Sequence, residues 1–284
     1  MKDFKGKVAV ITGAASGIGF ALAEKFADEN MKVVLADLDE NALNNAAKAI
    51  EARGVETLTV VTDVSSQQDV DALARKTLDK FSSIHVVCNN AGVIRGGLSW
   101  EVPLEDYRWH LEVNTWGVIH GIRTFMPILI EQDEETVIVN TSSQSGITCT
   151  PYSAAYCLSK HAVVSLSECL YHEIVINGLK VQVAVLCPMA VDTNIDKSER
   201  IRPDRYKLPS DSNSDTADFV SEALSAQLKK GITPELMAEQ TLQAIREERF
   251  YIFSESAEAE QWKDNIKIRF DDILLDRKPT MPKL

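Results

Sequence analysis

The sequence predicts a doubly wound α/β fold: one Rossmann domain over residues 1–284, with a seven-stranded parallel sheet and helices on both faces. Three observations carry that expectation. Short apolar, β-branched runs alternate with stretches of helical spacing; a glycine-rich turn joins the first run to the first helix; and the composition supplies a sizeable core. Strands that alternate with helices need crossovers, which are nearly always right-handed and leave a parallel sheet covered on both faces.

The elements follow in order. Residues 7–11 form an apolar strand, and 20–30 a helix with Leu22 and Phe26 at helical spacing. Residues 32–36 are a second strand, 41–53 an Ala-rich helix that Gly54 stops, and 57–61 a third strand. A helix over 67–80 leads to the buried strand 84–88, and 104–130 reads as a long helix bending at Pro127. Strand 136–140, helix 155–177 with its stop at Gly178, strand 180–187, helix 234–246 and strand 250–253 complete the pattern.

Two segments break the rhythm. Residues 190–231 are polar, hold Pro203, Pro209 and the run Ser210-Asp-Ser-Asn-Ser-Asp215, and are longer than compact domains give to idle loops. We read them as a substrate lid, with a surface insertion as the alternative. The extension 254–284 is charged, with apolar Trp262, Ile266, Ile268, Phe270, Ile273 and Leu274, and suits a docking helix or a partner contact.

Composition narrows the function. Of the 284 residues, 45% are hydrophobic and 25% charged, which is ordinary globular usage. Thirty Lys and Arg against 42 Asp and Glu give a net charge of -12, which disfavours nucleic acid and anionic membrane and leaves a small molecule as the expected partner. Five cysteines without a C-x-x-C pair suggest neither a disulfide framework nor a zinc cage. The five histidines show no metal-ligand spacing, so no metal is expected. The first strand leaves no room for a signal peptide and no apolar run is long enough to span a bilayer, so a soluble cytoplasmic protein is expected.

The chemistry starts at Thr12-Gly13-Ala14-Ala15-Ser16-Gly17-Ile18-Gly19, directly after the first strand and opening a helix. Glycines let the backbone approach a pyrophosphate, whose charge is stabilised by free N–H groups and the helix dipole. Alone, such a turn can be only a turn. Asp37, at the end of the second strand, stands near the separation expected of a ribose-binding acid. A carboxylate there accepts ribose hydroxyls and repels a 2′-phosphate, and neither residues 14–17 nor Leu38 add a basic group, which favours NAD over NADP.

Tyr156 and Lys160 lie four apart on one helical face, thirteen residues after Ser143 at a strand end. An ammonium near a phenol, together with the nicotinamide cation, favours the phenolate, so Tyr156 is expected to exchange a proton with an alcohol. His161, on a different face from Lys160, reads as a packed or solvated histidine, and Cys149 and Cys157 as small apolar fillers.

Together these residues resemble the short-chain dehydrogenase/reductase superfamily, in its TGxxxGxG branch, over roughly residues 5–195. The resemblance implies an oxidoreductase with Asn114, Ser143, Tyr156 and Lys160 as catalytic residues: Ser143 holds the substrate oxygen, and Asn114 holds a water that links Lys160 to solvent. It implies a cofactor site of Gly13, Ser16, Gly17, Ile18, Gly19, Asp37, Asp63, Val64, Asn90, Ala91, Gly92, Tyr156, Lys160, Pro188 and Thr193. Asp63 would contact adenine, Lys160 the nicotinamide ribose, and the segment of Pro188 and Thr193 the nicotinamide amide. Met189 stands where the family usually has glycine, which questions the local backbone path. The resemblance also implies a homodimer or homotetramer paired through helices 104–130 and 155–177.

The expected reaction is NAD-dependent interconversion of a secondary alcohol and a ketone. A protein of the same fold that binds NAD(H) without turnover, as a sensor or structural protein, is the alternative. Substrate residues are assigned to Ser143, Gln144, Ser145, Tyr152, Tyr156 and Met189, within a wall that adds Ile94, Arg95, Cys149, Thr150, Val191 and Ile195. Arg95 could meet a substrate carboxylate or face solvent. The lid sequence from Thr193 to Pro203 is similar to that of bacterial Cα-dehydrogenases acting on lignin-derived aryl ethers, which points to an aromatic or otherwise hydrophobic alcohol.

Overall fold

A computed structural model describes residues 1–208, 215–255 and 259–283. Among these, seven strands form one parallel sheet: β1 (Val8–Thr12), β2 (Lys32–Asp37), β3 (Thr57–Val61), β4 (Val86–Asn89), β5 (Thr136–Thr141), β6 (Val181–Cys187) and β7 (Tyr251–Phe253). Their order is β3-β2-β1-β4-β5-β6-β7, with registers such as Val10↔Val34 and Val10↔Val87. β1 shows why these runs become strands: its alternate side chains serve opposite layers. Ala9 and Ile11 pack in one cluster with Leu22, Phe26 and Leu242, whereas Val8 and Val10 pack in the other with Leu73, Phe125 and Leu170.

The first layer holds α1 (Gly17–Asp28), α2 (Glu40–Glu51) and α8 (Pro234–Arg246); the second holds α3 (Gln67–Phe81), α5 (Gly117–Gln132) and α6 (Ala154–Asn177). Side chains cap several starts: Asp39 accepts from the Ala42 N–H, Ser66 from Asp69 and Thr233 from Leu236. The first helix begins three residues before the expected 20, with Ser16 as its N-cap and Gly17, Ile18 and Gly19 already helical.

The helix expected over 104–130 is a run of three parts: α4 (Leu104–His110), a π turn over Leu111–Trp116, and α5. Pro127 lies inside α5, and the departure from α geometry falls at the π turn instead. A periodicity of 3.6 cannot reveal one extra residue in a turn. The expected lid is also more structured than its polarity suggested. It contains 3₁₀ turns over Ile195–Ile201, kinked at Lys197, and at Asp204–Tyr206, then α7 (Asp215–Leu228); Ser210 to Ser214 of the polar run lie outside the described residues.

The extension forms α9 (Ala259–Leu274), which docks through Trp262, 2% exposed, with its ring centroid 4.2 Å from that of Phe253. Phe270, Ile273 and Leu274 stay on its outer side. Among the described residues no helix is long and apolar enough to cross a membrane. All five cysteines are free thiols.

Candidate active site

The strand order reverses at β1, whose neighbours are β2 and β4, and a cleft of about 720 Å³ opens at the carboxyl ends of these strands. Such switch points are where open parallel sheets bind ligands. One end of the cleft is the glycine turn. Gly13 and Gly17 have φ of +66° and +56°, and a Cβ on Gly13 would lie 2.9 Å from the Ala91 Cα. Asn90 fixes this approach: its amide N–H and that of Ala91 donate to Thr12 Oγ1, and its side chain donates to the Thr12 carbonyl at 3.0 Å. Ser16, Ile18, Val64, Gly92, Pro188 and Thr193 also line the cleft, and the Thr193 methyl would sit 3.1 Å from a Cβ on Gly17. Gly19 does not face it. That glycine is buried beneath the turn, where a Cβ would meet the Gly13 carbonyl oxygen at 2.1 Å.

Asp37 closes this end. Its carboxylate accepts from the N–H groups of Ala15 (3.0 Å) and Asp39 (3.1 Å), and burial pushes its pKa up against those hydrogen bonds. Each oxygen keeps lone-pair capacity for a hydroxyl donor. Asp63 is held by Ser65, whose N–H and hydroxyl donate to Oδ1, and by Arg205 at 2.5 Å on Oδ2. Burial raises its pKa, but Ser65 and Arg205 outweigh burial and keep it below the usual carboxylate range. A backbone cradle without room for Cβ atoms, leading to an acid that among the described residues forms no ion pair, fits a dinucleotide.

At the other end, Ser143, Tyr156 and Lys160 converge. The Ser143 hydroxyl neighbours the Tyr156 phenol and acts to lower its pKa, and Ser143 Oγ accepts from the Ser145 N–H at 3.1 Å. Lys160 Nζ donates to the Thr141 carbonyl at 2.9 Å and lies 5.7 Å from the Tyr156 ring centroid. Burial governs both ionisable groups: it pushes the Tyr156 phenol up to about 12, against the lowering influence of the Ser143 hydroxyl, and Lys160 down to about 8. In the chain alone, desolvation thus outweighs the other influences on the phenol; the expected ionisation of Tyr156 also calls on the nicotinamide cation. Keeping Lys160 dry costs on the order of 3 kcal/mol at neutral pH.

Asn114 is not on the cleft surface. The π turn carries its side chain into the interior, where Oδ1 accepts from the Val93 N–H (2.8 Å) and Nδ2 donates to the Val93 carbonyl and Ser159 Oγ, both at 3.0 Å. It borders the cleft through Val93 and through Gly92, on which a Cβ would lie 3.3 Å from Asn114 Oδ1 and 3.4 Å from Lys160 Nζ.

Gln144, Ser145, Thr150, Tyr152, Met189, Ile94, Val191 and Ile195 line the cleft as expected of a substrate wall; Arg95 and Cys149 do not. Arg95 ion-pairs with Asp106 (3.3 Å) and Glu199 (2.8 Å), in a network where Arg202 grips the buried Asp106 at 2.5 Å and lies over Trp109. This network ties the lid to α4, so Arg95 neither awaits a carboxylate nor faces solvent. Cys149 is exposed on the other side of its loop, 3.9 Å from His161. Met189 needs no glycine-like backbone: its φ is not positive, and its N–H donates to Ser254 Oγ. Tyr152 does hold a positive φ of 63°, a strained conformation at the cleft wall.

Sequence reasoning missed one wall. Phe219, Val220, Ala223, Leu224 and Leu228 of α7 line the cleft opposite Trp109 and Val113, and a Cβ on Gly96 would meet Val220 Cγ1 at 2.3 Å. The signal was present as apolar residues spaced by four along 219–228.

The architecture defines a Rossmann-type dinucleotide-cleft protein. More narrowly, the sequence profile of the short chain dehydrogenase family matches residues 7–204, and the chain belongs to that family of oxidoreductases. It is similar over its whole length to a short chain dehydrogenase/reductase from Burkholderia phymatum crystallised in complex with NAD, at 42% identity and a TM-score of 0.96, with all of that chain covered. A 1-deoxy-11-beta-hydroxypentalenate dehydrogenase of Streptomyces exfoliatus is 36% identical over 94% of this chain and 88% of its own. The apo form of LigO from Sphingobium sp. strain SYK-6 is 27% identical, with a TM-score of 0.78 over 97% of this chain and 92% of that one.

Proposed function

We propose that the protein is an NAD-dependent oxidoreductase that interconverts a secondary alcohol and a ketone of aromatic or otherwise hydrophobic character. The observation that carries this reading is the convergence of Ser143, Tyr156 and a desolvated Lys160 on the cleft that begins at the glycine turn. The similar NAD complex and a relative named as a hydroxypentalenate dehydrogenase support it.

In this reading the glycine turn and the N-terminus of α1 hold the pyrophosphate, Asp37 the adenosine ribose, Asp63 and Val64 the adenine, Lys160 the nicotinamide ribose, and Pro188 and Thr193 the amide. When bound, the nicotinamide accepts or supplies hydride at C4. Ser143 Oγ orients the substrate oxygen and stabilises charge that develops on it. Tyr156 takes the hydroxyl proton in oxidation and returns it in reduction. The side-chain amide of Asn114 is spent on Val93 and Ser159, so its part in a proton relay falls to the carbonyl groups of the π turn. The apolar face of α7, with Arg95 tied to Asp106, suits a substrate whose bulk is uncharged, and the lid's likeness to aryl-ether dehydrogenases favours a benzylic alcohol.

The test is initial-rate NADH formation from NAD, with NADP in parallel, across benzylic, steroidal and aliphatic secondary alcohols. Turnover with NAD and a preference for apolar alcohols is expected. Faster turnover with NADP would overturn the reading of Asp37, and silence across the panel despite NADH binding would overturn the enzymatic reading. Size fractionation of the same sample should give a homodimer or homotetramer; a monomer would remove that part.

A further inference from the structure

α9 lies beyond the residues that the family profile matches. It meets the body of the molecule through Trp262 and, two turns later on the same face, Arg269. The Arg269 guanidinium donates from Nη1 to the Ile147 carbonyl and reaches His161 Nε2 at 2.7 Å. Arginine only donates, so Nε2 must accept, and the ring proton lies on Nδ1, which donates to the Cys157 carbonyl at 2.9 Å.

Both partners of Arg269 adjoin the chemistry. Ile147 is the C-cap of the 3₁₀ turn Gln144–Gly146, whose N-cap is Ser143; the Gly146 N–H donates to the Ser143 carbonyl at 2.9 Å. His161 directly follows Lys160 on α6. Between turn and helix there is no spare room: a Cβ on Gly146 would lie 2.2 Å from Ser142 Oγ and 2.7 Å from the Lys160 carbonyl oxygen. One guanidinium therefore spans the two walls, the turn that Ser143 caps and the helix that carries Tyr156 and Lys160, that set how these groups face each other.

We infer that α9 is a brace for the Ser143 turn and that Arg269 is the positioning residue through which it acts. The inference rests on the roles proposed above for Ser143 and Tyr156. Reaction rates fall steeply when reacting groups are misplaced by an ångström or less, so loosening this span should slow hydride transfer itself.

The test uses the full chain carrying Arg269→Ala or Arg269→Lys. Hydrogen exchange is followed at amides 143–150 and in α1. NADH affinity is measured, and the primary deuterium isotope effect on kcat is taken with an alcohol labelled at the reacting carbon. For Arg269→Ala we expect exchange in the turn to rise about tenfold or more with α1 unchanged, kcat to fall about tenfold, the isotope effect to increase, and the Kd for NADH to stay within about twofold. Lys should restore part of the rate, because its ammonium can donate to either partner but lacks the planar geometry that fixes Nη1 between them. Unchanged exchange in the turn would overturn the inference. So would a lower rate with an unchanged isotope effect, the mark of a smaller folded fraction. Should Arg269→Ala fail to fold, the Lys variant carries the same comparison. If the wild-type chain turns over no alcohol, the proposed function falls while the exchange data still decide the brace.

Discussion

Tyr156 and Lys160 are both dry, and burial acts on them in opposite senses: it holds the phenol protonated and pulls the ammonium towards neutrality. The chain alone therefore presents a phenol, the form that donates a proton in ketone reduction. Alcohol oxidation needs the ionised form, whose population is small at neutral pH and grows tenfold per pH unit while the pH lies below the phenol's pKa. The sign follows: oxidation at low alcohol concentration should accelerate as pH rises from about 6 to about 9, and ketone reduction should not. A flat oxidation profile over that range would contradict Tyr156 as the acid/base. At this scale the sequence was informative about identity and less so about environment. Tyr156, Lys160 and Ser143 were legible from spacing; the direction of their pKa values was not, because burial of a helical face depends on what packs against it. The tie of Arg95 to Asp106 was hidden for the same reason, with partners 11 and 104 residues away.

The elements that shape the cleft are the ones whose irregularity matters. The π turn at Leu111–Trp116 takes Asn114 off the cleft surface, and α7 supplies an apolar wall in a segment that composition marked as polar. Gly96 sets how closely α7 sits, since any Cβ there meets Val220 and, at 2.8 Å, the Tyr152 carbonyl oxygen. Gly96→Ala should push α7 outward and lower kcat/KM about tenfold or more while NADH affinity stays within about twofold. Adding Val220→Ala removes the nearer obstruction and should recover part of that loss. Unchanged kinetics for Gly96→Ala would show that α7 does not close on the substrate. Strands and long helices were readable because each buries a repeating face, whereas α7 buries its face on a cavity, and the polar run just before it masks the repeat.

Across the whole molecule, the parallel order and its reversal at β1 place the glycine turn, Asp37 and the Ser143–Tyr156 pair along one cleft, although they come from chain segments more than a hundred residues apart. The parallel sheet was implied by the alternation of strands and helices; its order, and with it the switch point at β1, was not. The attachment of α9 was not implied, because the extension's apolar residues suit a docking helix and a partner contact equally. The central claim is that this cleft transfers a proton through Tyr156 as hydride moves between substrate and nicotinamide. Comparing Tyr156→Phe with the wild-type chain, for NADH affinity and for NAD-dependent alcohol oxidation, tests it most directly. NADH affinity within about twofold of wild type, with turnover lower by orders of magnitude, is the predicted result. Turnover near the wild-type rate in the Phe variant would contradict the account.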